Sequence, residues 1–93
     1  MRTYELTCIF RTDEDNFTKG KEIVKAEFEK QSVKVLKETD MGTKELAYEI
    51  KKETKGHYYF YEMEVVSDKI AEMDKHFKLE TTFLKYLFVK KEN

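Results

Sequence analysis

The chain has 93 residues, 40% of them hydrophobic and 40% charged, with 18 Lys+Arg against 19 Asp+Glu for a formal net charge of −1. That length supports one domain, over residues 1–93, whose single core leaves little depth for a buried catalytic pocket, and the composition argues against both a bilayer-embedded chain and one too polar to fold. The balanced charge also argues against a protein that grips nucleic acid by bulk attraction, while leaving room for a few well-placed cations.

Residues 3–11 alternate, with Tyr4, Leu6, Cys8 and Phe10 on one side and Thr3, Glu5, Thr7 and Ile9 on the other, which predicts a half-buried strand. Thr12 to Asn16 reads as a polar loop whose Asp13, Glu14 and Asp15 suit the positive end of a helix. From about Asn16 to Gln31, Phe17, Gly20, Val24 and Phe28 recur at three- and four-residue steps, with Ile23 beside them. That spacing predicts an amphipathic helix. Either one long strand bent at Gly42 or two shorter ones follow between about Val33 and Lys52. Leu46, Tyr48 and Ile50 are assigned to the core. A turn is expected over residues 53–57 at Gly56, and then a strand from Tyr58 to Val66, rich in aromatic and β-branched side chains. Ser67 is the expected cap of a second helix from Asp68 to about Leu79, with Ile70, Met73 and Phe77 on one face. A last strand, Leu84 to Lys90, leads to a short charged end, Lys91-Glu92-Asn93. This order predicts an α+β, ferredoxin-like βαββαβ fold, a four-stranded antiparallel sheet with two helices on one face.

Two helices cover only one side of such a sheet, so the other side meets water or a partner. In the third strand Glu62 and Glu64 share parity with Tyr58 and Phe60. An unpaired buried carboxylate costs several kcal/mol, so that set belongs outside, and Tyr59, Tyr61, Met63 and Val65 belong beneath the helices. In the last strand Lys85 shares parity with Leu87 and Val89, which turns these outward and Tyr86 and Phe88 inward. The open side then carries Thr7 together with a protein-partner face of Ile9, Tyr58, Phe60, Leu87 and Val89, since a contiguous apolar patch on a small protein signals a partner.

Catalytic chemistry finds no support. His57 and His76 lie in different elements without ligand spacing, the glycines at 20, 42 and 56 form no phosphate loop, and neither Ser32 nor Ser67 has a histidine near it in sequence. No metal site and no cofactor are expected; the acidic run at Asp13 reads as a solvated helix start. Cys8 is the only cysteine. It excludes an internal disulfide, reads as a buried inert thiol, and makes a reducing cytoplasmic compartment the default. No apolar run is long enough to span a bilayer, and no secretory signal pattern is present. A stand-alone single-stranded RNA-binding module of the RNA recognition motif type has the same element order. Residues 55–62, Lys-Gly-His-Tyr-Tyr-Phe-Tyr-Glu, loosely resemble its third-strand signature. That module would place residues 57 and 59 on the open side, opposite to the parity above.

Gly42-Thr43-Lys44-Glu45-Leu46-Ala47-Tyr48-Glu49-Ile50-Lys51 resembles the signature of the bacterial small-subunit ribosomal protein six family. Met1-Arg2-Thr3-Tyr4-Glu5 and Gly56-His57-Tyr58 are similar to that family's first strand and second hairpin. The resemblance covers the whole chain, departing where members usually carry proline, here Glu49, and a second basic residue, here Glu45. It implies a structural, non-catalytic protein of the small ribosomal subunit. Such a protein would bind central-domain (platform) small-subunit ribosomal RNA together with a basic companion, ribosomal protein eighteen, as a heterodimer. No membrane or small-molecule substrate is implied, and the free chain is expected to be a monomer. Arg2 and Lys44 match basic positions of the family, and Lys52, Lys78, Lys85 and Lys90 fall where members carry Arg or Lys. Their implied role is phosphate contact, which positions a protein without reading sequence.

Overall fold

The period-two and period-3.6 segments form the elements they predict. In the computed structural model, which describes residues 2–91, β1 (Arg2–Phe10), α1 (Glu14–Lys30), β2 (Lys34–Ile50), β3 (Glu53–Val65), α2 (Ser67–Phe77) and β4 (Phe83–Lys90) follow in that order. Met1 and the last two residues of the predicted charged end lie outside the described part. The strands form one antiparallel sheet in the order β2-β3-β1-β4, the ferredoxin-like arrangement.

Helix α1 starts where Asp13 accepts a hydrogen bond from the Asn16 N–H at 3.0 Å, with Glu14 and Asp15 in the first turn. Those acids oppose the positive end of the helix dipole. It closes at Ser32, φ 56, where the Val33 N–H reaches back to the Phe28 carbonyl at 2.9 Å. The buried side of α1 is Gly20, Val24 and Phe28. Glycine lets the helix approach β1, because a Cβ at position 20 would stand 2.6 Å from Cδ1 of Phe10. The predicted cap of α2 is corrected: Val66 occupies the cap position and no side chain caps the helix. The Ser67 hydroxyl instead accepts a hydrogen bond from Tyr4 Oη at 3.2 Å, fixing the helix start to β1.

The core lies between the helices and one side of the sheet. Leu6, Cys8 and Phe10 of β1 meet Tyr61, Met63 and Val65 of β3, with Met73 and Phe77 of α2 and Phe83 at the start of β4. The Phe10 ring meets Phe17, Tyr59 and Phe83 edge-on at 5.7, 6.2 and 5.6 Å between centroids. Pairs of this kind contribute about 0.5–1.5 kcal/mol beyond their buried area. Tyr86 and Phe88 face inward as parity requires: Tyr86 Oη donates to Asp74 Oδ1 at 2.7 Å, and Phe88 stacks on Phe77 at 6.0 Å.

Departures from the sequence reading concentrate in the β2–β3 hairpin. β2 is one strand, and Gly42 bends it, with φ +80 and a register shift between Asp40 and Gly42. The turn, however, is not at Gly56. It is formed by Lys51 and Lys52, both at positive φ (47 and 67), between the facing residues Ile50 and Glu53. Two left-handed residues in a two-residue loop match the right-handed twist of the flanking strands. Gly56 is a buried β3 residue at a close approach: a Cβ there would collide with Cγ2 of Ile9 and stand 3.3 Å from Leu46 Cδ2.

Phe10, the last residue of β1, faces His57, so the hairpin overhangs the end of β1 and runs past the strands that carry the core. Leu46, Tyr48 and Ile50 therefore lie outside the core that was expected to hold them. Leu46 and Ile50 are half-buried, and Tyr48 is 63% exposed. Two contacts tie the overhang down, through Glu53 and Lys51, and Arg11 is itself held to the chain ahead of β4. Arg11 Nη1 pairs with Glu53 Oε1 at 3.3 Å, Arg11 Nε donates to the Thr81 carbonyl at 3.2 Å, and Lys51 Nζ donates to the Phe83 carbonyl at 3.1 Å.

Candidate protein-partner and RNA interface

The register of the sheet assembles its uncovered side in rows across the strands. One row runs Lys37, Glu62, Glu5, Val89; the next runs Thr39, Phe60, Thr7, Leu87; a third runs Gly42, Tyr58, Ile9, Lys85. Beyond them Lys44 faces Gly56 on the same side. Glu62 and Glu64 are half-exposed on this side, as the parity argument requires. The face is graded: Glu5, Glu62 and Glu64 on the central strands at one end, where Lys37 faces Glu62 and Lys91 Nζ pairs with it at 3.2 Å, apolar and aromatic groups in the middle, and Lys44 and Lys85 toward the hairpin end.

Leu87 and Val89 are 59% and 45% exposed, and Tyr58 and Phe60 half-buried beside them. Ile9 requires correction. It lies on the predicted side but only 9% exposed, because Gly56 brings the β3 backbone against it, with Leu46 and Leu84 closing around the same spot. A register shift after Ile9 turns Leu84 to this side while Phe83 stays in the core. Ile9 therefore supports the face from below and offers a partner little surface.

The six basic candidates do not form one cluster. Lys44 extends over the Tyr58 ring at 5.5 Å, and Lys85, opposite Ile9, donates to Tyr48 Oη at 3.3 Å. These two and the turn residue Lys52 occupy the hairpin end. Arg2 and Lys90 are diagonal neighbours at the opposite end of the sheet, on the helix-side parity of Tyr4. Lys78 closes α2 and pairs with Asp74 at 3.2 Å. Sequence reasoning missed Tyr48 as a surface group. The alternation Lys44, Leu46, Tyr48 along β2 was the available signal, since it puts all three on one side of the strand.

Side chains with reactive potential are engaged elsewhere. Burial pushes the Cys8 thiol far above its ordinary range, so no thiolate forms. His57 stacks on Phe17 at 3.8 Å and bonds Asp40 Oδ1, and this bond together with the Gly42 N–H holds the Asp40 carboxyl below its usual range. Tyr59 packs against Phe10 and donates to Glu38 at 3.1 Å; desolvation, then Glu38, pushes its hydroxyl up to about 12. His57 and Tyr59 thus face the helices, where an RNA recognition motif would need them on the open side. Among the described residues no three His, Cys, Asp or Glu side chains are grouped to hold a metal ion, and no helix is long and apolar enough to cross a membrane.

The family model for ribosomal protein S6 matches residues 3–90. Small ribosomal subunit protein bS6 of Treponema denticola is 41% identical over 93 residues, covering all of both chains. The Treponema pallidum protein of the same name is 34% identical over 97% of each chain, and that of Campylobacter jejuni is 33% identical over all of this chain and 76% of its own. A crystal structure of 30S ribosomal protein S6 from Thermotoga maritima superposes with a TM-score of 0.87 at 24% identity, over 97% of this chain and 87% of that one.

Proposed function

The chain belongs to the ribosomal protein S6 family, and from that premise we propose that it binds central-domain (platform) small-subunit ribosomal RNA as a heterodimer with the basic ribosomal protein eighteen. Family membership itself makes the chain a structural constituent of the small ribosomal subunit, not an enzyme, with its place on the ribosome.

The observation that carries the proposal is the uncovered side of the sheet. Leu87 and Val89 stand exposed beside half-buried Tyr58 and Phe60, with Glu5 and Glu62 in register next to them. Apolar surface beside carboxylates suits a cationic protein neighbour: burial supplies affinity, and charge complementarity sets orientation and on-rate. Lys44, Lys52 and Lys85 at the hairpin end then face phosphate, with Arg2, Lys78 and Lys90 as contacts from other sides of the molecule. Because Arg2, Lys90 and the Asp74-paired Lys78 lie away from Lys44 and Lys85, the chain alone brings few cations to one stretch of phosphates, and the RNA affinity of the pair exceeds that of either member.

The test measures affinity for a central-domain RNA fragment with and without ribosomal protein eighteen. Weak binding alone and cooperative binding with the companion is the expected result. Equal affinity in both conditions refutes the heterodimer mechanism. Leu87→Asp should weaken the pairing while leaving thermal stability within about 0.5 kcal/mol, as surface substitutions generally do.

A further inference from the structure

We propose that Tyr48 and Lys85 form a nucleotide-stacking site at the hairpin end of the open face, taking one unpaired nucleotide of ribosomal RNA; this rests on the RNA-binding reading above. Tyr48 is the most exposed aromatic ring among the described residues, 63% open to solvent, on a segment where it contributes nothing to the core. Its hydroxyl is nonetheless fixed by a side chain 37 residues away, Lys85 Nζ at 3.3 Å. The same ammonium lies 5.9 Å from the ring centroid. A lysine ammonium has three donors, so one bond to the phenol oxygen leaves two for phosphate oxygens. A nucleotide presents a π face and a phosphate on one unit, which is the pairing that this arrangement offers.

The charge distribution favours RNA over the protein companion at this spot. Lys44 and Lys85 share the open side here, while Glu5, Glu62 and Glu64 sit on rows further along the sheet. Glu53 is paired with Arg11, Glu45 faces Lys55 across the hairpin with the opposite parity to Lys44, and Glu49 alternates with Tyr48 along the strand. An exposed ring with a lysine ammonium held at its edge is the composition of a sequence-tolerant single-strand platform. The exposed Leu87 and Val89, in contrast, lie further along the face beside carboxylates, which suits the protein partner.

The experiment titrates a central-domain small-subunit RNA fragment with the protein plus ribosomal protein eighteen, comparing wild type, Tyr48→Phe, Tyr48→Leu, Tyr48→Ala and Lys85→Ala. Tyr48→Phe should bind within about twofold of wild type, because the π face is retained. Tyr48→Leu and Tyr48→Ala should lose about 5- to 150-fold, the equivalent of ~1–3 kcal/mol per stacked base. Their salt slopes should match wild type, whereas Lys85→Ala should flatten the slope by about one phosphate contact. All variants should melt within roughly 4 °C of wild type, since the ring is outside the core. Wild-type affinity in Tyr48→Leu overturns the site and leaves the RNA-binding reading intact. Loss of ribosomal protein eighteen binding by the Tyr48 variants in the absence of RNA also overturns it, assigning the ring to the protein interface. Failure of the wild-type pair to bind the RNA at all removes the functional reading and the site together.

Discussion

Gly56→Ala tests the contact on which the overhanging hairpin rests. The added methyl would collide with Cγ2 of Ile9 and press Leu46 Cδ2 at 3.3 Å. Ile9 is β-branched, its Cγ2 is bonded directly to Cβ, and the side chain is nearly buried, so it cannot swing aside as a long flexible chain would. Overpacking of this kind costs ~1–3 kcal/mol, and the lack of a yielding neighbour places the cost in the upper part of that range. Removing glycine stiffens the unfolded chain and returns ~0.4–1 kcal/mol. The net loss is about 1–2.5 kcal/mol, a fall in melting midpoint on the order of 4–20 °C for a domain of this size. Ile9→Ala alone should cost ~2–5 kcal/mol as an underpacked site. The double variant Ile9→Ala with Gly56→Ala should be less destabilised than the sum by at least about 1 kcal/mol, because each change fills or frees the space that the other needs. Urea denaturation of the four proteins yields the coupling directly. An unchanged midpoint for Gly56→Ala, or strict additivity, would refute the close approach and with it the placement of the hairpin over Ile9.

Further predictions concern the charged and aromatic groups. Glu5 and Glu62 face each other on adjacent strands, with Lys91 Nζ already pairing Glu62 at 3.2 Å, so Glu5→Gln should raise stability by only about 0.2–0.5 kcal/mol at low salt, with the gain fading near 1 M salt as the repulsion is screened; a salt-independent gain would point to another cause. Tyr86→Phe removes the hydrogen bond to Asp74, and the Tyr86 hydroxyl, ahead of Lys78, is what lowers the Asp74 pKa. A carboxyl depressed in the folded state stabilises it above the unfolded pKa and loses that contribution as pH falls through the folded one. The difference between wild type and Tyr86→Phe, ~1–2 kcal/mol near neutrality for a half-exposed site, should therefore shrink below the ordinary carboxylate range; a difference that persists to strongly acid pH would contradict the linkage. Tyr59→Ala should destabilise by about 2–3 kcal/mol, below the ~3–5 typical of a fully buried large aromatic, because the ring is only partly covered. Lys44→Glu should weaken RNA assembly at nearly unchanged stability, and a large loss of stability would make it a folding residue.

Alternation carried most of the fold. In β1 a single period-two pattern separates Leu6, Cys8 and Phe10 from Thr3, Glu5 and Thr7, and in β3 two glutamates fix which side faces out. Those signals are local, and they stay valid because the helices cover that side of β1 and of β3 over Tyr61–Val65. The errors arose where geometry depends on residues far away in sequence. Gly56 looked like a turn because glycine usually marks one, but its reason here is Ile9, 47 positions earlier. Leu46, Tyr48 and Ile50 have the composition of core strand residues, and only the end of β1 at Phe10 shows that they lie beyond the helix-covered core. Lys51-Lys52 was invisible as a turn, since neither residue type favours positive φ. At the candidate interface, parity placed Tyr58, Phe60, Leu87 and Val89 on one side, whereas the dispersal of Arg2, Lys78 and Lys90 away from Lys44 required the assembled sheet.

The reversal at Lys51 and Lys52 sets folding and charge in opposition at the same two positions. Each lysine stands in a backbone region that costs an L-residue with a Cβ about 1–2 kcal/mol, whereas Asn-Gly would adopt it with little strain. Substituting that dipeptide would give a stiffer, more readily formed hairpin whose tip had lost two positive charges and the Lys51 tether to the Phe83 carbonyl. Variants selected for heat resistance alone should drift toward the relaxed tip, and those selected for growth dependent on ribosome assembly should keep the strained, cationic one.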